Sequence, residues 1–169
     1  MSLRTVENIK ADLNAIVTKI TEQYPNNRSA IMPSLYLAQE KYGKVDGTVY
    51  QAIAEILDVP EIYVFEVASF YTMYNRQEVG VYHIQLCTNI SCMLLGAYNV
   101  LAHMEKRLEI KKGETTQDGL FTISVVECIG SCDVAPAMMV NDAYYNNLTA
   151  KGMDEIIDGL EVAAKEVAS

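Results

Sequence analysis

The sequence predicts an α+β chain, with a helical bundle over residues 1–78 followed by an α/β domain with a mixed sheet over residues 79–169. Three observations carry this reading. Apolar residues recur at helical spacing up to about residue 78 and alternate after it. Turn-forming clusters in the second half cut out short strands around one amphipathic helix. Half of the 169 residues are apolar, enough for one good core or two small ones.

In the first half, Leu13, Ile16, Val17 and Ile20 form one helical stripe, closed by Pro25 after Tyr24. A second helix is expected from Ser29 to Tyr42, with Ser29 as N-cap and Gly43 as the stop. Pro33 falls early in it, where a missing N–H costs least. A third is expected from Asp46 to Leu57, turning Val49, Ile53, Ile56 and Leu57 inward. A fourth starts at Pro60, well suited to a first turn, and continues through Val67 into the aromatic, β-compatible SFYTMYN.

In the second half, VGVYHIQL at 79–86 reads as a strand ending at Cys87. Residues 93–108 read as an amphipathic helix with basic residues in its last turn. KKGETTQDG is turn chemistry, and FTISVVE at 121–127 is a second strand ending at Cys128. Segments 136–141 and 143–147 form a hairpin around Asp142, and Thr149 caps a final helix that turns Met153, Ile156, Ile157 and Leu160 one way. Strand, helix, strand, strand, strand, helix is the order of a thioredoxin-like core. Its first two strands are parallel through a right-handed crossover and its last two antiparallel. Both cysteine pairs then leave the C-terminal ends of parallel strands, where open α/β sheets bind ligands.

The formal charge of −9 excludes a nucleic-acid partner on electrostatic grounds. A helix-turn-helix pattern over 46–67 lacks the basic residues such a role needs. No apolar run is long enough to cross a bilayer, so no direct membrane insertion is expected. The N-terminus has no secretory signal pattern, and Glu7 and Asp12 argue against a transit peptide. The expected location is cytoplasmic, either free or peripheral on the cytoplasmic face of a membrane complex.

The chemistry concentrates in four cysteines, paired as CTNISC (Cys87, Cys92) and CIGSC (Cys128, Cys132), with 35 residues between the pairs. Three readings compete. Disulfides fit poorly with a reducing cytoplasm and a chain this apolar. A structural zinc site uses four thiolates in a tetrahedron, although its usual knuckles are spaced by two residues. A [2Fe–2S] cluster needs two thiolates on each of two irons, which two loop pairs supply directly. A Rieske centre is excluded, since His83 and His103 stand in no motif with a cysteine. His83 reads as a strand residue and His103 as a helix residue. Gly130 allows backbone N–H groups to turn toward sulfur, and Ser131 adds a possible hydroxyl donor. A helix beginning just after Cys92 points its positive end at the cluster charge. Met93, Met138 and Met139 read as core filler. A thiol–disulfide oxidoreductase fits the fold but lacks the C-x-x-C spacing.

Several segments then carry a resemblance: AIMPSLYLAQEKYG at 30–43, VASFYTMYN at 67–75, YHIQLCTNISCMLLGA at 82–97, GETTQDGLFTISVVECIGSCDVAPAMMVND at 113–142 and YYNNLT at 144–149. Together they resemble the thioredoxin-like [2Fe–2S] subunit of NADH dehydrogenases. That family includes the E subunit of bacterial respiratory complex I and relatives in NAD-linked hydrogenases and formate dehydrogenases. The resemblance implies a helical N-terminal domain that docks on a partner, and a cluster-binding domain after it. It matches Cys87, Cys92, Cys128 and Cys132 to the family's four cluster ligands, and Pro136 to a proline whose peptide bond is cis by analogy with thioredoxins. It implies one [2Fe–2S] cluster here. FMN, the NAD(H) site and a [4Fe–4S] cluster are expected on a flavoprotein partner, with further iron–sulfur or hydrogenase subunits beyond it. The role implied is one-electron transfer. An electron-bifurcating [FeFe]-hydrogenase or formate dehydrogenase is the alternative setting for the same subunit type. No Gly-rich dinucleotide loop occurs in this chain.

Overall fold

The computed structural model describes residues 4–167, which divide into two compact units between Glu78 and Val79. The first is helical: α1 (Val6–Thr21), a 3₁₀ turn (Asn27–Ala30), α2 (Ile31–Tyr42), α3 (Gly47–Leu57) and α4 (Glu61–Phe70). Thr5 caps α1 by accepting from the Asn8 N–H at 3.3 Å, and the helix buries Ile9, Leu13 and Val17. Ile16, expected inward, is half exposed. At about 100° per residue it sits at the edge of the stripe that Ile9, Leu13 and Val17 centre.

The cap expected at Ser29 belongs to Asn26. Its Oδ1 accepts from the Ser29 N–H at 3.0 Å, and this winds a 3₁₀ turn before α2 begins at Ile31. The asparagine takes the role because its backbone is extended, at φ −155° and ψ 158°, as an N-cap requires, whereas Ser29 already lies within the turn. Gly43 ends α2 in the left-handed conformation, and its N–H bonds to the Gln39 carbonyl at 2.7 Å. Asp46 caps α3 with two bonds, to the Thr48 and Val49 N–H groups. Pro60 stands at the cap of α4 rather than inside it, and the helix runs on through Ser69 and Phe70. The core of this unit gathers Leu13, Val17, Ile31, Leu35, Val49, Ile53, Leu57 and Val64.

The second unit holds β1 (Tyr82–Cys87), α5 (Ile90–Leu94), α6 (Ala97–Leu108), β2 (Phe121–Val126), β3 (Met138–Val140), β4 (Ala143–Tyr145) and α7 (Ala150–Val167). The sheet order is β2-β1-β3-β4. β1 and β2 run parallel, with Tyr82 opposite Phe121 and Cys87 opposite Val126, while β3 and β4 are each antiparallel to their neighbour. This is the mixed sheet that the element order predicts. The hairpin turns on Asn141, at φ 51°, whose side chain accepts from the His83 N–H at 2.9 Å. Thr149 caps α7, as expected, by accepting from the Gly152 N–H at 3.0 Å.

Alternation on β1 puts Ile84 and Leu86 in the core with Phe121, Ile123 and Met138, against Met104 of α6 and Met153 and Ile157 of α7. Each such fully buried side chain contributes about 1.5–3 kcal/mol. A polar seam crosses α6 and α7, where His103 meets Asp154 at 2.8 Å and Arg107 reaches Asp158 and Glu161. The helix expected at 93–108 is two helices. Gly96, at φ 96°, breaks it, a conformation that glycine takes without a Cβ clash. No helix among the described residues is long and apolar enough to cross a membrane.

Candidate metal centre

Parallel pairing of β1 and β2 puts both strand ends at one rim, and each end opens into a cysteine loop. Cys87 is the last residue of β1. Its N–H bonds to the Ala137 carbonyl at 3.1 Å, which ties the strand end to the segment after Pro136. The Ala135–Pro136 peptide is cis. Cys92 lies inside α5, whose first N–H, that of Ile90, is taken by the Asn89 side chain at 2.7 Å. The expected helix start just after Cys92 is therefore corrected: α5 begins before that cysteine and α6 begins at Ala97.

Cys87 and Cys92 are buried, 3% and 2% exposed, among Ala97, Val126 and Ala135. Burial pushes the Cys92 thiol up from its ordinary value, and the neighbouring Cys87 adds to this, while the Ala137 N–H pulls the other way. A positive ion seated here would reverse that balance, since bound thiols give up their protons outright. Cys128, two residues beyond β2, and Cys132, which opens a 3₁₀ turn (Cys132–Val134), are exposed. The Gly130 N–H points at the Cys128 sulfur at 3.4 Å, the backbone turn that the glycine was expected to allow.

None of the four cysteines is in a disulfide. The four cysteines thus divide into a buried pair and an exposed pair. Two irons bridged by sulfides take two thiolates each, and such a donor set fits this division. Among the described residues, no three His, Cys, Asp or Glu side chains gather at the spacing of a single ion. The two histidines are engaged elsewhere: His83 with Ser124 at 2.8 Å, and His103 with Asp154. Met138 is core filler, as expected, but Met93, on α5, is 43% exposed.

Two contacts here had no signal in the sequence. Ala137 serves both buried cysteines, bonding the Cys87 N–H with its carbonyl and facing the Cys92 sulfur with its N–H. The Tyr144 hydroxyl donates to the Ile129 carbonyl at 3.3 Å, from β4 into the Cys128–Cys132 loop.

A thioredoxin-like sheet with two cysteine pairs at the C-terminal rim defines a metal-carrying version of that fold. The chain belongs to the family of thioredoxin-like [2Fe–2S] ferredoxins, which matches residues 17–161, and its cofactor is a [2Fe–2S] cluster. It is 46% identical over 143 residues to the E 2 subunit of the NADH-quinone oxidoreductase of Rhizobium meliloti, a match covering 85% of each chain. It is 43% identical over 155 residues to the E subunit of the NADH-quinone oxidoreductase of Rickettsia conorii, covering 90% of this chain and 92% of that one. Its fold is similar to part of an NAD+-reducing [NiFe]-hydrogenase crystallised in the air-oxidized state. The TM-score is 0.68 at 20% identity, over 79% of this chain but only 23% of the hydrogenase chain.

Proposed function

We propose that this chain is a one-electron carrier subunit in which Cys87, Cys92, Cys128 and Cys132 hold a single [2Fe–2S] cluster beside an FMN- and NAD(H)-binding flavoprotein subunit. The observation that carries the reading is the placing of two cysteine pairs at one rim of the sheet, in a chain of this family. When bound, the cluster supplies a store for one electron that takes up no proton.

The chain's own residues do the rest. The buried pair, Cys87 and Cys92, would hold the cluster from among the apolar side chains of Ala97, Val126 and Ala135. The exposed pair, Cys128 and Cys132, would hold it from a loop that is accessible to a partner. Backbone N–H groups of Gly130 and Ala137 aim at the sulfurs of Cys128 and Cys92, where they would offset the negative charge of a bound cluster. No Asp, Glu, Lys or Arg occurs between Cys87 and Met104. Ile90, Met93, Leu94 and Leu95 are exposed beside Cys92, an apolar strip suited to burial in a complex.

The identity to the two NADH-quinone oxidoreductase relatives favours a NADH:quinone oxidoreductase setting over a hydrogenase or formate dehydrogenase one. In that setting the flavoprotein also carries a [4Fe–4S] cluster, further iron–sulfur subunits follow it, and the chain works at the cytoplasmic side of the membrane. Isolation of the tagged chain from its own cells tests this. The expected outcome is co-purification of a flavin-bearing chain whose flavin is bleached by NADH. Recovery of hydrogenase or formate dehydrogenase chains instead would move the chain to the alternative setting, and recovery without any flavoprotein would refute the partner.

A further inference from the structure

We propose that Tyr144 is a positioning residue for the cluster, setting its reduction potential through one peptide group. The proposal rests on the reading of Cys128 as a ligand. The Tyr144 hydroxyl donates to the carbonyl of Ile129, and the N–H of Gly130 donates to the sulfur of Cys128. Those two groups belong to the same peptide unit, so a bond at its carbonyl end fixes the direction of its N–H end. Accepting a hydrogen bond at the carbonyl also polarises the peptide and strengthens its N–H as a donor.

The peptide needs such a hold. Gly130 stands at φ 78°, and a glycine beside a peptide makes that plane the easiest in the loop to rotate. Gly130 has open space where a Cβ would stand, so no neighbouring atom restrains it from that side. Tyr144 can supply the restraint because β4 is fastened to β3 with Met139 opposite Tyr144. Just beyond β4, the Asn147 N–H bonds to the Val134 carbonyl at 2.8 Å and the Leu148 N–H to the Pro136 carbonyl at 3.0 Å. Residues 144–148 thus hold the Cys128–Pro136 segment at three points, and the tyrosine makes the one nearest the sulfur. At 3.3 Å the tyrosine bond is long for O–H···O, so its effect is modest.

An N–H···S bond favours the reduced, more negative cluster, and weakening it lowers the potential. In the holoprotein, Tyr144→Phe is expected to keep iron, sulfide and visible absorption at wild-type levels. The ratio of reduced to oxidised protein at a fixed potential falls about threefold, which is about 28 mV at 59 mV per tenfold change. In pulsed EPR of the reduced protein, the exchangeable proton coupled most strongly to the cluster weakens as well. Tyr98→Phe, which removes the hydroxyl of an exposed tyrosine on α6, leaves both readouts unchanged. Cys128→Ser separates the two claims. If it alters the cluster spectrum while Tyr144→Phe keeps the wild-type potential and coupling, the positioning role is overturned and the ligand reading stands. If Cys128→Ser keeps a native spectrum, the ligand reading itself fails. A Tyr144→Phe protein unable to hold the cluster also overturns the proposal, because it assigns the hydroxyl to the potential and not to assembly.

Discussion

His83 shows what burial does to a single side chain. It stands on β1 with its Nε2 at 2.8 Å from Ser124 Oγ, and burial pushes its imidazole below the ordinary value of 6.5. The unfolded chain therefore takes up this proton at a higher pH than the folded chain. Stability rises with pH wherever the unfolded state binds more protons, so this contribution is intact above about pH 6.5 and is lost as pH falls below it. Asp12, held low by its bond from Lys41, and Glu55, held low by Lys10, lose their contributions only near and below pH 4. We expect the wild-type unfolding midpoint in urea to drop between about pH 7.5 and about pH 5.5, and a His83→Gln variant to show a flatter profile over that window. Equal slopes in the two proteins would mean that another group sets the pH dependence. Some residue-level features were not readable from sequence. Ser29 and Asn26 both suit a cap, and only the turn geometry decides between them. Ile16 lies on the margin of its stripe, where helical phase alone does not settle exposure.

At the scale of elements, the start of β1 depends on a close approach. A Cβ added to Gly80 would lie 2.9 Å from the Leu120 carbonyl carbon and oxygen and from the Phe121 carbonyl carbon, all of them backbone. The Gly80 N–H meanwhile bonds to Thr122 Oγ1 at 2.6 Å. Backbone cannot step aside as a side chain can, so Gly80→Ala should cost about 1–3 kcal/mol, as overpacking typically does. Denaturant unfolding measures it, and a change under about 0.5 kcal/mol, the ordinary range of a surface substitution, would mean that the two strands separate at little cost. Element types were legible because period 2 and period 3.6 differ clearly in β1, β2, α3 and α7. The break at Gly96 was written in LLGAY, yet the apolar stripe of Ala97, Val100, Leu101 and Met104 runs up to it and masks it. The extension of α4 through Phe70 overrides the β-compatible texture of that segment, which is weak evidence on its own.

For the whole molecule, the informative step was topological. Two cysteine pairs with 35 residues between them come to one rim because β1 and β2 are parallel neighbours, as the order of elements predicts. What the order could not convey is how the rim is furnished. Ala137 and Tyr144 reach the cysteine loops only through the β1–β3 and β3–β4 registers, and registers follow from packing across the sheet. The division into a buried and an exposed cysteine pair is likewise a product of packing, since Cys87 and Cys92 lie among Ala97, Val126 and Ala135 while Cys128 and Cys132 stay exposed. Spacing alone left zinc and iron as rivals, and the role of the chain turns on the metal. The most direct measurement is metal and acid-labile sulfide content on anaerobically purified protein, with EPR of the reduced form, for the wild type and the Cys87→Ser, Cys92→Ser, Cys128→Ser and Cys132→Ser variants. A four-thiolate [2Fe–2S] centre predicts a red-brown wild type with about two irons and two sulfides per chain and one EPR signal, altered or lost in every variant. A colourless protein with one zinc per chain, or a variant that keeps the wild-type signal, would contradict it.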